Sequence, residues 1–269
     1  MKQIKLSNDA FIFAIDKMTA EDVYQEIYVD QVYLRNGIQL YDGDVVFDVG
    51  ANIGLFSKYA VEKYRNLHIY AFEPIPQIFE ALQANMKAHP SVKLFNIGLS
   101  DKKEAIEFLY YPKVSADSTA HPFDMDDQAE LIMKTYHQGK AKLVPKRLMR
   151  YLILRKLKSL YKPVRVTCPL ETLSDMIETQ HIDHIDLLKL DAENAERQVL
   201  AGINDNDWKK IKQIAMEIHT TSPDGKTLVD DLSALLRSKG YSFVLDTQSR
   251  FSFIGVHMLY AHKHDESSK

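Results

Sequence analysis

Four times in this chain a short apolar run is followed by a turn and a stretch with helical spacing, and that alternation limits the fold more than any other feature. "DVVFDV" (44–49) precedes "GLFSKYAVEKY" (54–64), and "HIYAFE" (68–73) precedes "PQIFEALQANMKAH" (76–89). The pairing returns at 185–191 with 193–201 and at 211–219 with 227–239, and "VKLFNIGL" (92–99) reads as a further strand. Repeated βα units predict an α/β fold with a doubly wound, mostly parallel, Rossmann-like sheet. The final stretch, "SFVLDTQSRFSFIGVHMLYAHK", has two β-rich runs around the polar "DTQSR" and predicts a C-terminal antiparallel hairpin. The 269 residues are read as one domain.

Two regions break the pattern. In residues 1–42, apolar or aromatic side chains at 23, 27, 28 and 34 stand among acids, which predicts a helical segment ending near Gly37. Residues 110–165 form an insertion, and from Lys140 to Arg165 it holds ten basic residues and no acid. Leu148, Leu152, Leu154, Leu157 and Leu160 recur there at roughly helical spacing, as in a basic amphipathic helix. An insertion of that length in an α/β domain suits a lid or a docking element, with plain solvated decoration as the alternative.

Charge and cysteine content narrow the classes. A formal net charge of −3 argues against a general nucleic-acid or membrane binder. The single cysteine, Cys168, excludes an internal disulfide and fits a reducing compartment. "AFIFAI" (10–15) is too short for a membrane span or a signal-peptide core, so a cytoplasmic protein is expected.

"VVFDVGANIG" (45–54) is a strand, a glycine-bearing turn and a helix start. Gly50 permits a tight turn and Gly54 a close approach of helix to sheet, with Ala51 and Asn52 between them. Glu73, 23 residues after Gly50 and followed by Pro74, ends the next strand where a carboxylate can bind the two hydroxyls of a ribose. Asn96, Gly98 and Leu99 follow the third strand, where an adenine would lie. The dinucleotide pattern G-x-G-x-x-G is absent, and Asp48 would repel a pyrophosphate but welcome a cationic amino-acid group such as that of S-adenosylmethionine. A dinucleotide-dependent oxidoreductase and a non-catalytic nucleoside-binding module are the competing readings.

On the acceptor side, "LLKLDAENAE" (187–196) ends a strand in Asp191, Glu193 and Glu196, and "MEIH" ends the next in Glu217 and His219. Residues 217 and 219 share one strand face. An imidazole, with an ordinary pKa of about 6.5, suits proton removal from a hydroxyl, which makes His219 the candidate base. Glu193 or Glu217 would orient it. Asp191 is either a functional group or a helix N-cap, and Glu196 is either exposed or ion-paired. Lys189 is read as neutralising the acids. Asp191, Glu217 and His219 could also hold Mg²⁺, an alternative set below a metal-free site. Glu26, Tyr28 and Tyr33 could close over the acceptor, or simply pack on the domain.

Taken together, "FDVGANIG", "AFEP", "FNIGLSD", "IDLLKLDAENAERQVLAGI" and "IAMEIH" resemble the FkbM family of S-adenosylmethionine-dependent methyltransferases over most of residues 44–219. The segments "YQEIYVDQVYLRNGI", "VTCPLETLSDMI" and "NDWKKIKQIAMEIH" are most like its O-methyltransferases of polyketide and nonribosomal peptide assembly lines. One departure is visible: members read D-x-E-G where this chain has Asn194. The resemblance implies O-methylation of a hydroxyl or enol on an acyl chain presented by an acyl carrier protein, with S-adenosylhomocysteine as by-product. The alternative is a free sugar, lipid or small metabolite. Acidic carriers would be steered to the basic insertion.

Overall fold

A computed structural model describes residues 1–7, 10–122, 124–137, 145–220, 225–248, 252 and 255–263. Lys140 and Lys142 of the basic run and part of "DTQSR" lie outside them. The chain opens with a hairpin of β1 (Lys2–Lys5) and β2 (Phe11–Ala14), followed by α1 (Lys17–Tyr24) and a π-helical turn over Gln25–Val29. The central elements are β3 (Val45–Val49), α2 (Leu55–Lys63), β4 (His68–Phe72), α3 (Pro76–Met86) and β5 (Val92–Phe95). Next come β6 (Gly98–Ser100), β7 (Glu104–Tyr110), α4 (Met125–His137), α5 (Lys146–Leu160), β8 (Val164–Thr172) and α6 (Leu173–Thr179). The chain continues with β9 (Ile185–Leu190), α7 (Glu196–Ala201), β10 (Ile211–His219), α8 (Gly225–Ser238), β11 (Tyr241–Asp246) and β12 (Val256–Lys263).

The main sheet has the order β11-β12-β10-β9-β3-β4-β5. The five strands from β10 to β5 are parallel, and β12 and β11 add the expected antiparallel hairpin. Strand order reverses at β3, where β4 and β5 run to one side and β9 and β10 to the other. A crevice therefore opens at the carboxyl ends of β3 and β9, the place where ligands bind in doubly wound sheets. Both faces are covered. Val46, Leu187 and Ala215 face the N-terminal hairpin and α2, whereas Phe47, Leu188 and Met216 face α7 and α8. Burial on both faces explains why β9 reads as an unbroken apolar run. Asp186 and Lys189 are its exceptions, and Lys189 lies directly opposite Asp48 in the β3–β9 register.

Several expectations are corrected. The N-terminal segment is not one helix reaching Gly37. "FIFA" alternates as a strand with Ile12 and Ala14 inward, and the helix stops by Val29. Gln31, Asn36 and Gly37 all take positive φ, which ends any helix, and the irregular chain buries Val32, Tyr33, Ile38 and Leu40 instead. The third strand is interrupted after Phe95, because Gly98–Ser100 leaves the main sheet to pair with β8 in a three-stranded sheet, β6-β8-β7. The helix expected from residue 193 begins at Glu196, since Glu193 (φ 46°) and Asn194 (φ 74°) are left-handed.

In the insertion the basic helix is real but its buried residues are Met149 and Leu157. Leu148 and Leu152 point outward, half exposed, so the five leucines are not a single buried stripe. Among the described residues no helix is long and apolar enough to cross a membrane.

Candidate active site

The turn after β3 is shaped by Gly50. Its φ is 71°, and a Cβ there would lie 1.7 Å from the Asp191 carbonyl oxygen, so no other residue lets the β3 and β9 turns meet this closely. The backbone N–H groups of Gly50 and Ala51 donate to the Phe72 carbonyl, which ties the same turn to the end of β4. There Glu73 is buried, and its two oxygens accept from the backbone N–H groups of Ile75 and Asn52. Burial pushes its carboxyl up to about 7 against the pull of those two hydrogen bonds. Each oxygen keeps a second lone pair for a diol.

The first cavity at this crevice is lined by Gly50, Asn52, Glu73, Pro74, Gly98 and Leu99, with Ile78, Phe72 and Phe108 as apolar walls. This is a nucleoside-shaped set of contacts, a paired acceptor beside flat apolar surface. Four expected cofactor residues stand elsewhere. Asn96 donates its side-chain amide to the carbonyls of Glu73 and Pro74, so it holds the turn and does not line the cavity. Gly54 (φ 84°) starts α2, where a Cβ would meet Leu82 at 2.5 Å, a packing role. Ala51 lines the second cavity. Asp48 is fully buried, accepts from the Ser57 hydroxyl at 2.6 Å and pairs with Lys189 at 3.2 Å, away from both cavities.

Lys189 donates to the Gly50 carbonyl at 2.7 Å and lies 3.6 Å from Asp191. Burial alone would lower its pKa, but Asp48 and Asp191 outweigh it and hold the ammonium charged. The expected neutralising role is thus structural: one cation fastens the glycine turn to the acidic strand.

The second cavity, about 290 Å³, shares Gly50, Asn52, Ala116, Asp191 and Glu193 with the first and extends over Tyr33, Glu217 and His219. His219 is buried. Its Nδ1 meets Glu196 Oε1 at 2.7 Å, while Nε2 faces Glu193 at 3.4 Å and Glu217 at 3.9 Å. Burial by itself would lower the His219 pKa, yet Glu193, Glu196 and Glu217 raise it well above the ordinary value. The orienting carboxylate is therefore Glu196, and neither Glu193 nor Glu217 has that place. Glu196 has no exposed surface, so the ion-paired reading holds and the exposed one does not. The signal was present in the sequence: Glu196, Val199 and Leu200 share one helix face, and all three are buried.

Asp191 is not the N-cap of α7; that place belongs to Ala195, without a side-chain cap. Its Oδ2 accepts from the Tyr33 hydroxyl at 3.0 Å, and Glu217 Oε1 lies 2.9 Å from the same hydroxyl. A phenol has one hydrogen for these two acceptors. Burial, then the charge of Asp191, pushes Glu217 up to about 7, so a proton is readily held within the pair. Ligand atoms of Asp191, Glu217 and His219 lie within 4.8 Å of one another, and a divalent ion there would compete with Tyr33 for the carboxylates.

Tyr33 and Glu26 line the cavity, whereas Tyr28 donates to Glu62 on the surface and does not. The insertion closes the other side. Asp117 accepts from Tyr161, and the Thr119 hydroxyl donates to the Glu193 carbonyl at 2.6 Å. These contacts had no local signature in the sequence, whereas the left-handed Asn194 beside them stands where the sequence departs from D-x-E-G. Asn tolerates φ 74°, so the turn survives without the glycine.

A doubly wound sheet with a nucleoside cavity opening into a histidine-bearing one is the architecture of a class I methyltransferase. The chain belongs to the FkbM methyltransferase family: the family described as "Methyltransferase FkbM domain" matches residues 48–243. It is 33% identical over 264 residues to the 31-O-demethyl-FK506 methyltransferase FkbM of Streptomyces tacrolimicus, covering 98% of this chain and 97% of that one. It is 36% identical over 247 residues to the AMB antimetabolite synthetase AmbE of Pseudomonas aeruginosa, covering 89% of this chain and 11% of AmbE. The methyltransferase sdnD of Sordaria araneosa is 29% identical over 245 residues, with 87% and 86% covered.

Proposed function

We propose that this chain is an S-adenosylmethionine-dependent O-methyltransferase acting on a hydroxyl or enol of a natural-product intermediate carried by an acyl carrier protein. The observation that carries the reading is His219, whose Nδ1 is fixed on buried Glu196 while Nε2 faces the cavity. The first cavity fits the cofactor: Glu73 has lone pairs for the ribose, and Leu99, Ile78 and Phe72 offer apolar surface for the base. The bound cofactor would supply an electrophilic methyl group on a sulfonium and leave as the neutral thioether.

The protein's own part is positioning and proton removal. With Glu196 accepting at Nδ1, the lone pair of the neutral imidazole lies on Nε2, toward the acceptor. As the new O–CH₃ bond forms, the acceptor's proton passes to Nε2, and Glu196 stabilises the imidazolium. Tyr33 holds Asp191 and Glu217 together at the wall beside it.

Support for oxygen as the acceptor comes from the name of the FkbM relative, and support for a tethered substrate from AmbE, of which a 247-residue stretch aligns with this chain. The basic face of α5, with six Lys or Arg and no acid, suits an acidic carrier. Mass-spectrometric comparison of methyl transfer to an acyl–carrier protein and to the free acyl thioester tests this. Equal rates, unchanged after replacing Arg147 and Arg155 by Ala, would sink the carrier. The FkbM relative, matched over 97% of its length, favours a second reading, a free hydroxylated metabolite.

A further inference from the structure

We infer that Thr119 is a positioning residue for the His219–Glu196 pair: its hydroxyl, reaching from the insertion, fixes the peptide plane whose N–H aims Glu196 at the imidazole. This deepens the proposed function and rests on His219 as its base.

Glu196 has no exposed surface, and its Oε2 has no hydrogen-bond partner. Its Oε1 takes the Asn194 N–H at 3.2 Å and meets His219 Nδ1 at 2.7 Å. Apart from the histidine itself, the Asn194 N–H is thus the donor that sets the direction of this carboxylate. That N–H belongs to the peptide unit joining Glu193 to Asn194, and the other end of the same unit is the Glu193 carbonyl. A peptide unit is planar, so its two ends turn together. The Thr119 hydroxyl donates to that carbonyl at 2.6 Å. One plane is therefore held at both ends, by Thr119 and by Glu196.

The plane needs holding. Glu193 (φ 46°) and Asn194 (φ 74°) are consecutive left-handed residues without a glycine, a conformation that persists only where its surroundings impose it. Turning the plane over would give Asn194 a negative φ and carry its N–H away from Glu196. Thr119 is itself well fixed. It is buried, it exchanges backbone hydrogen bonds with Leu109 of β7 at 2.8 and 3.2 Å, and its Oγ1 accepts from the His121 N–H at 2.9 Å. It lines neither cavity, although Ser118 and Ala120 on either side line the first. A side chain outside both cavities meets neither cofactor nor acceptor, so its influence on the reaction runs through Glu196.

The test reads the His219 ring by NMR, on isotope-labelled protein loaded with S-adenosylhomocysteine, and needs no acceptor. A ring N–H donating to a buried carboxylate gives a low-field proton signal, identified by its loss in His219→Ala. In Thr119→Val, which replaces the hydroxyl by a methyl group, that proton is expected to exchange with water about tenfold faster, the effect of one lost hydrogen bond. Thr119→Ala should do the same without the added methyl, and Thr119→Ser should keep the parental rate. Parental exchange in both hydroxyl-free variants overturns the inference, as does a serine variant no better than the valine one. Loss of S-adenosylhomocysteine binding by calorimetry in both hydroxyl-free variants overturns it too, since Thr119 then merely supports the fold. Absence of the low-field signal from parent protein that binds S-adenosylhomocysteine removes the anchored base of the proposed function together with the inference.

Discussion

The two cavities meet at Gly50, Asn52, Ala116, Asp191 and Glu193, yet they draw on local and distant segments in different proportions. On the cofactor side the glycine turn, the Glu73 carboxylate and part of the apolar wall come from short-range pieces within residues 49–100, the turns after β3 and β4 and the start of β6. The insertion (Ser115, Ser118, His121) and the β9 turn complete it. The acceptor side is gathered from the N-terminal segment, the 110–165 insertion and the ends of β9 and β10. Tyr33 reaches across 158 residues to Asp191 and across 184 to Glu217. A binding function common to many enzymes can be written in a local motif, whereas a particular substrate is met by segments that only the fold brings together.

Substitutions can break this division. The largest expected effect is His219→Ala, which should lower the methyl-transfer rate about 10²–10⁴-fold, the span of a lost general base, while S-adenosylhomocysteine binding by calorimetry stays unchanged. If binding falls with the rate, the two cavities are not separable. Glu73→Gln should do the reverse, weakening cofactor binding by about tenfold or more through the weakened hydrogen bonds, with little change in rate at saturating cofactor.

Glu196→Gln is expected to cut the rate by about tenfold and to move the pH profile. The sign follows from the carboxylates around His219. Glu193, Glu196 and Glu217, from the β9–α7 turn, α7 and β10, together favour the imidazolium. The neutral base therefore gains population as pH rises beyond the ordinary histidine range, and the rate should still be climbing above pH 7. Removing the Glu196 charge lowers the His219 pKa, so the rising limb should shift to lower pH. A limb that stays in place would show that Glu196 does not act through His219.

The smallest effect is expected for Asn194→Gly, which restores the residue usual in the family at a left-handed position. The melting temperature should change by no more than about 3 °C, because relief of strain offsets the greater freedom of the unfolded chain.

The same contrast governs what could be read from the sequence. The βα alternation and the burial of β9 on both faces gave away the sheet, its order of elements and the terminal hairpin. Gly50, Glu73, Pro74 and Leu99 were legible because a strand end fixes where the next residues point. Asp48 was misplaced, since pattern alone does not distinguish the cavity face of a strand end from a buried cross-strand pair with Lys189. Glu196 was underrated because its partner is 23 residues away on another element, though its helix-face spacing with Val199 and Leu200 marked it as buried. Asp117 and Tyr161 had no signal, as nothing in the insertion's composition says which side chains turn inward.

Asp16 has a role that reaches beyond its own helix. One of its oxygens caps α1 through the Thr19 N–H at 2.8 Å, and the other accepts from both the N–H and the hydroxyl of Ser115 in the insertion. Lifting the insertion away therefore removes two of the donors that hold the capping side chain in place, and the helix start loosens with it. These hydrogen bonds couple the two walls, so amides of residues 17–24 and 115–119 are expected to exchange with solvent at a common rate.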